Sequence, residues 1–229
     1  PSGYGALLKR YLTNKEEREP KQPLGPFVAD AAALAAPVPA TALRATRLGH
    51  STVLLEIDGR RFLTDPVWMV RASPSQLVGP KRFFGPPLPL AQLPHLDGVI
   101  LSHDHHDHLD EATIRQLGRV GVPFFCPLGV GAHLRRWGVP ANKITERNWW
   151  ETAVVADDFQ LVATPARHYS GRGLTRDGTL WASWCLLGPH HKVFFGGDSG
   201  PFDEAFRQIG AAYGPFDLVM LEIGASDPE

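Results

Sequence analysis

Cysteine is scarce in this chain: Cys126 and Cys185 are the only two in 229 residues. Two thiols cannot build a disulfide framework. Both sit among apolar neighbours, so they read as free buried thiols in a reducing compartment. Long apolar runs are missing too. "FFGPPLPLAQLP" (83–94) is broken by prolines, and "AAALAAPVPA" (31–40) is short, so neither reads as a membrane span or a signal segment. Net charge is nearly nil: 23 Lys and Arg against 24 Asp and Glu leave -1 at pH 7. With no basic stripe, the electrostatic case for nucleic acid falls away. Internal repeats and low-complexity tracts are also lacking. What remains, at 43% hydrophobic and 21% charged residues, is the composition of a globular protein with a substantial core.

Residues 1–40 are rich in Pro, Ala and mixed charge and read as an N-terminal arm packed on the domain surface. From 41 the texture changes. Residues 42–48, 52–57 and 61–65 are short strand-like runs, with Asp58-Gly59 as a hairpin turn. A Pro- and Gly-rich loop covers 71–94. "DGVILS" (97–102) is a strand buried on both faces. Residues 110–118 form a helix, capped by Asp110 and closed by Gly118. A strand at 122–127 and a helix at 131–138 follow. Hairpins are expected at 151–166 and 179–198. A helix at 203–210, capped by Asp203 and stopped by Gly210, leads to a last buried strand at 216–224. This mixture predicts an α/β protein with mixed sheets covered by helices.

"LSHDHHDHLD" (101–110) carries four of the ten histidines at the carboxyl end of a predicted strand. Open α/β sheets place ligands there. His103 and His105, two apart, can point one way; Asp107 and His108 can swing to a neighbouring point. Imidazole and carboxylate are ligands for a borderline cation, and two directions suggest two cations. Burying these groups side by side without a cation would leave polar atoms unsatisfied. Further ligands should sit at other strand ends, and His168 in "TPARHYSG" and Asp198 in "FFGGDSG" are so placed.

These residues resemble the metallo-β-lactamase superfamily. "LGHSTVLLEIDGRRFLTDPVW" (48–68), "RASPSQLVGPKRF" (71–83), "WASWCLLGP" (181–189) and "GPFDLVMLEIGA" (214–225) are similar to its branch containing N-acylphosphatidylethanolamine-hydrolysing phospholipase D. The resemblance implies a four-layer αββα sandwich of two mixed β-sheets over 41–229. It implies a first metal on His103, His105 and His168. A second would sit on Asp107 and His108, with Asp198 bridging. The cofactors implied are two divalent metal ions, zinc first, with Mn²⁺ or Fe²⁺ as alternatives. The activity implied is hydrolysis of a phospholipid-like phosphodiester by a metal-bound hydroxide, with Asp107 orienting the nucleophile. The alternatives are a lactone or carbonyl-ester hydrolase and a catalytically silent metal-binding protein. The family carries one more histidine after the last strand. The chain reaches Glu229 first, so the expectation is either a domain lacking its C-terminal end or an incomplete second site.

The substrate-contacting candidates are His50, Arg71 and Tyr169. His50 is equally open to a structural role. The loop 67–90 reads either as a surface connector or as a substrate loop. In the second case Arg71, Lys81 or Arg82 would meet phosphate, and Phe83, Phe84 and Leu88 would meet acyl chains. His190 and His191 read as solvated, and His133 as a helix-surface residue. Trp149, Trp150, Trp181 and Trp184 read as packing residues. Expected partners are a small-molecule or lipid substrate, with no nucleic acid and no transmembrane segment; membrane-surface contact and a homo-oligomer stay open. The expected location is cytoplasmic, with peripheral membrane attachment open.

Overall fold

A computed structural model of the chain describes residues 20–77, 79–173 and 176–223. Residues 20–40 form an exposed arm with one short helix, α1 (Ala31–Ala35). Asp30 caps it and Leu34 pins it to the body. Three antiparallel strands follow: β1 (Leu43–Arg47), β2 (Val53–Ile57) and β3 (Arg60–Thr64). Asp58 and Gly59 have φ of 50° and 80°, the left-handed pair that a two-residue hairpin requires. Pairing then turns parallel through β4 (Gly98–Ile100), α2 (Glu111–Arg119), β5 (Phe124–Pro127), α3 (Val130–Arg136) and β6 (Ile144–Arg147). These six strands lie in chain order in one sheet.

The second sheet is built by β7 (Thr152–Ala156), β8 (Phe159–Thr164), β9 (Ser183–Leu187) and β10 (Lys192–Phe195), all antiparallel. α4 (Asp203–Tyr213) then returns the chain so that β11 (Leu218–Met220) adds to β10 in parallel. Both sheets are mixed, as expected.

Strand alternation makes the layers. Leu55, Phe62 and Ile100 face Leu161, Trp184 and Phe195 between the sheets. Their chain neighbours Leu54, Leu63 and Leu101 point the other way, onto Ile114 and Leu117 of α2 and Leu134 of α3. On the far side Cys185 and Phe194 meet Ala205 and Ile209 of α4. The order is helix, sheet, sheet, helix. Each buried Leu or Phe contributes roughly 1.5–3 kcal/mol, so three such clusters fix the stacking.

Several expectations need correction. β6 was not anticipated, because "ITER" offers four half-buried residues and no apolar run. α2 runs past Gly118 to Arg119, and Gly121 (φ 77°) makes the turn instead. Asp203 is the first residue of α4 rather than its cap, and the helix passes Gly210 to reach Tyr213. β11 is a half-exposed edge strand, not a buried one. The expected strand's last position, 224, and residues 1–19 of the arm lie outside the described residues. Trp184 is fully buried, whereas Trp150 is exposed. Cys126 and Cys185 are free and buried, and burial pushes both thiols up, which argues against a cysteine nucleophile. Among the described residues no helix is long and apolar enough to cross a membrane.

Candidate metal centre

Ser102 lies two residues past β4, and its neighbour is Asp65, just past β3. The Asp65 carboxylate takes hydrogen bonds from the Ser102 amide (2.7 Å), the Ser102 hydroxyl (2.5 Å) and His108 Nδ1 (2.7 Å). Ser102 Oγ also lies 2.9 Å from His103 Nδ1. Because the hydroxyl donates to Asp65, it accepts from His103. One buried carboxylate thereby fixes a proton on Nδ1 of both imidazoles and turns both Nε2 atoms the other way.

Those two Nε2 atoms, of His103 and His108, are buried and make no hydrogen bond. An unpaired buried polar atom costs about 1–3 kcal/mol, so two side by side need a reason. Around them stand the other expected residues. His103, His105 and His168 bring one nitrogen each within 4.8 Å of one another, and so do ligand atoms of His50, Asp107, His108 and Asp198. His168 Nε2 is 3.2 Å from His105 Nδ1. Asp198 Oδ2 lies 3.0 Å from His108 Nε2, off the hydrogen-bonding direction, and 4.0 Å from His168 Nε2. It stands between the two groups. The donor set, imidazole and carboxylate with orphaned Nε2 atoms, fits divalent cations.

Three strand ends deliver these side chains. Gly197 (φ 55°) lets the β10 end press on the β4 loop: a Cβ there would come within 2.6 Å of Ser102 Cβ. The loop after β8 is tied to the histidine loop at Gly171, whose amide donates to Asp104 (2.7 Å). Arg172 adds bonds to the carbonyls of Asp104 (2.8 Å) and Leu109 (2.6 Å). Ala182 and the Trp184 indole donate to the carbonyls of Ser102 and Leu101, both at 2.9 Å, closing the sheets together at this end.

The electrostatics agree with ligation. Burial, with neighbouring imidazoles, pushes His103 well below its ordinary value; burial also lowers His105 and His168. All three are neutral donors near pH 7. Burial opposes charge on His108, but the carboxylates of Asp198 and Asp65 outweigh it and raise it to about 10. The second proton of His108 is the one a cation would displace.

A cavity of about 370 Å³ opens beside the second group, walled by His50, Asp107, Arg47, Arg82, Phe83 and Phe84 among others. His50 Nε2 stands 3.6 Å from Asp107, which draws this histidine into the site. Tyr169 packs against His168 and His105, with ring centres 4.8 and 4.7 Å away. Arg71 is not brought here. It bonds to the Gly79 carbonyl and lines a separate cavity with His106 and Arg172. Leu88 is buried in the core and offers nothing to a ligand. His133 and His191 are not free surface groups: His133 lies 3.4 Å from Asp104, and His191 2.6 Å from Asp58. Asp65 and Ser102 escaped the sequence reading. "LTDP" marks only a strand end, and the link to His108 appears in space alone.

Residues 60–229 match the Beta-lactamase superfamily domain. An uncharacterized protein of Mycobacterium tuberculosis is 54% identical over 187 residues, 81% of this chain and 50% of that protein. An N-acyl-phosphatidylethanolamine-hydrolyzing phospholipase D of Caenorhabditis elegans is 39% identical over 195 residues, 81% of this chain and 55% of that one. The chain thus spans about half the length of these relatives. Among solved structures, a metallo hydrolase from Ignicoccus hospitalis superposes with a TM-score of 0.54 at 25% identity, covering 75% of this chain and 66% of the other. An isothiocyanate hydrolase from Delia radicum gut bacteria gives 0.57 at 20% identity, covering 76% and 69%. The second likeness speaks for the fold alone.

Proposed function

The chain belongs to the beta-lactamase superfamily, and on that premise we propose a metal-dependent hydrolase that cleaves phosphodiesters of phospholipid-like substrates. The observation that carries this reading is the pair of buried Nε2 atoms of His103 and His108, neither in a hydrogen bond, turned into a cluster of imidazoles and carboxylates with Asp198 3.0 Å from the second. His103, His105 and His168 would hold one divalent cation. Asp107 and His108 would hold a second, with Asp198 shared. Zinc suits these donors first, and Mn²⁺ or Fe²⁺ suit them next. Cations bound there supply Lewis acidity, acidifying water and offsetting charge on phosphoryl oxygens.

The chain's own groups do the rest. Asp107 stands half-exposed at the cavity mouth and can accept a hydrogen bond from the attacking water. Water adds to phosphorus, the bond to one ester oxygen breaks, and that oxygen leaves with a proton as an alcohol, giving a phosphomonoester. His50, facing Asp107, is placed to steer that proton. Phe83, Phe84, Val67 and Met69 give the cavity an apolar wall suited to an acyl chain. The relatives named as N-acylphosphatidylethanolamine phospholipases support that substrate class.

The test compares zinc-reconstituted protein on an N-acylphosphatidylethanolamine, a soluble phosphodiester and a lactone. Turnover of the phosphodiesters, lost on Asp198→Ala, is expected. Turnover of the lactone alone, or an Asp198→Ala variant as fast as the parent, would refute the proposal.

A further inference from the structure

Gly49, the residue before His50, is where two guanidinium groups meet. Arg47 donates from Nε to the Gly49 carbonyl at 3.0 Å. Arg82 crowds the same residue: a Cβ at Gly49 would stand 2.9 Å from Arg82 Nη2. A side chain there would make the guanidinium shift. Neither arginine pairs with a carboxylate among the described residues. Arg82 is the more exacting case. Its Nη2 reaches only the Val67 carbonyl, at 3.4 Å, and its Nη1 is buried with no hydrogen-bond partner. Arg82 is half-buried and feels the Asp110 carboxylate only at a distance, so its guanidinium donors are left for an incoming anion to complete.

Both arginines wall the cavity that opens onto His50 and Asp107, and Lys81 joins them. Three cationic side chains there face one carboxylate, Asp107, while Val67, Met69, Phe83 and Phe84 supply apolar surface. The cavity therefore matches an anionic ligand with an apolar arm. A neutral ester would fill the apolar part and leave the guanidinium groups uncompensated.

Resting on the hydrolase reading of the same site, we propose that Arg47 and Arg82, converging on Gly49 beside His50, form its anion receptor and make it choose phosphodiester monoanions over neutral esters and lactones. Guanidinium suits the task because its fork of donors matches two phosphoryl oxygens.

The test is calorimetric binding to the metal-loaded full chain, with dibutyl phosphate as the anionic probe and γ-nonalactone as the neutral one. Arg82→Met should weaken dibutyl phosphate by about tenfold or more and leave the lactone within about twofold, as expected for a lost charge-assisted hydrogen bond. Arg82→Lys should recover part of the loss. Gly49→Ala keeps the charge but displaces the guanidinium, so it should weaken the anion too. Should Arg82→Met fail to fold by circular dichroism, Gly49→Ala and Arg47→Met decide the matter by the same criterion. Equal losses for both probes, no loss for the anion, or no binding of dibutyl phosphate by the parent would each overturn the proposal. Anion-selective binding without phosphodiester turnover would leave this receptor standing and remove the hydrolase reading alone.

Discussion

Two Asp–His pairs tie segments distant in sequence, and they are accounted for differently. Asp58, in the β2–β3 turn, reaches the β9–β10 turn of the other sheet. It accepts from the amides of His190 and His191, both at 3.0 Å, and from His191 Nδ1 at 2.6 Å. Every donor aimed at that carboxylate is used, and no orphaned nitrogen remains on His191. Asp65 binds His108 Nδ1 at 2.7 Å, but there the imidazole's buried Nε2 makes no hydrogen bond and faces only the Asp198 carboxylate, 3.0 Å away, itself one of the candidate metal ligands. The first pair is a staple between turns. The second is half of something. The same two residue types differ in whether the hydrogen-bond inventory closes, and the open inventory marks the site.

That contrast can be broken by substitution. The largest effect is expected at Asp198. Asp198→Ala should cut phosphodiester turnover by about a hundredfold or more, since even outer partners of a metal ligand cost about 10–100-fold. Its fold, read by circular dichroism, should persist. Asp65→Asn comes next. Asn tolerates the left-handed φ of 33° at this position, but it cannot hold His108 Nδ1–H as a carboxylate does. Zinc affinity, measured by competition with a chelating dye, should fall by about 10–100-fold. If affinity is unchanged, Asp65 is a staple like Asp58.

Asp58→Asn should do the opposite. Turnover should match the parent, while urea denaturation should show a loss of about 1–3 kcal/mol from the broken staple. A drop in turnover at equal folded fraction would erase the distinction between the two pairs. The smallest effect is in pH. Burial opposes ionisation of Asp58, but hydrogen bonds from His191 and the two amides outweigh it and hold the carboxyl below its ordinary value. Its contribution is therefore complete above about pH 4, the ordinary aspartate range, and is lost as pH falls through the lower folded value. The melting-temperature gap between parent and Asp58→Asn should narrow as pH drops below about 4. A gap that widens there would contradict the assignment.

Much of this was legible in the residues. The spacing of His103, His105, Asp107 and His108 at a strand end sufficed to point to a candidate cation site, and the structure brings His168 and Asp198 to the same cluster from two other strand ends. The hairpin at Asp58-Gly59 and the cap at Asp110 follow from local chemistry that a chain carries in a few positions. Long-range partners were the blind spot. Asp65 gains its role from His108, 43 residues away, and Asp58 from His191, 133 away. His133 reads as a helix-surface residue until Asp104 is placed beside it. β6 was missed because sheet pairing with β5, not an apolar pattern, makes "ITER" a strand. Arg71 shows the converse, since a motif suited to phosphate delivered its arginine to a different cavity.

Zinc titration of chelator-treated protein, followed calorimetrically with metal content checked by elemental analysis, tests the account most directly. Saturation at two ions per chain is predicted, with binding weakened in His103→Ala. A flat titration of folded protein, leaving both Nε2 atoms unoccupied at excess zinc, would contradict it.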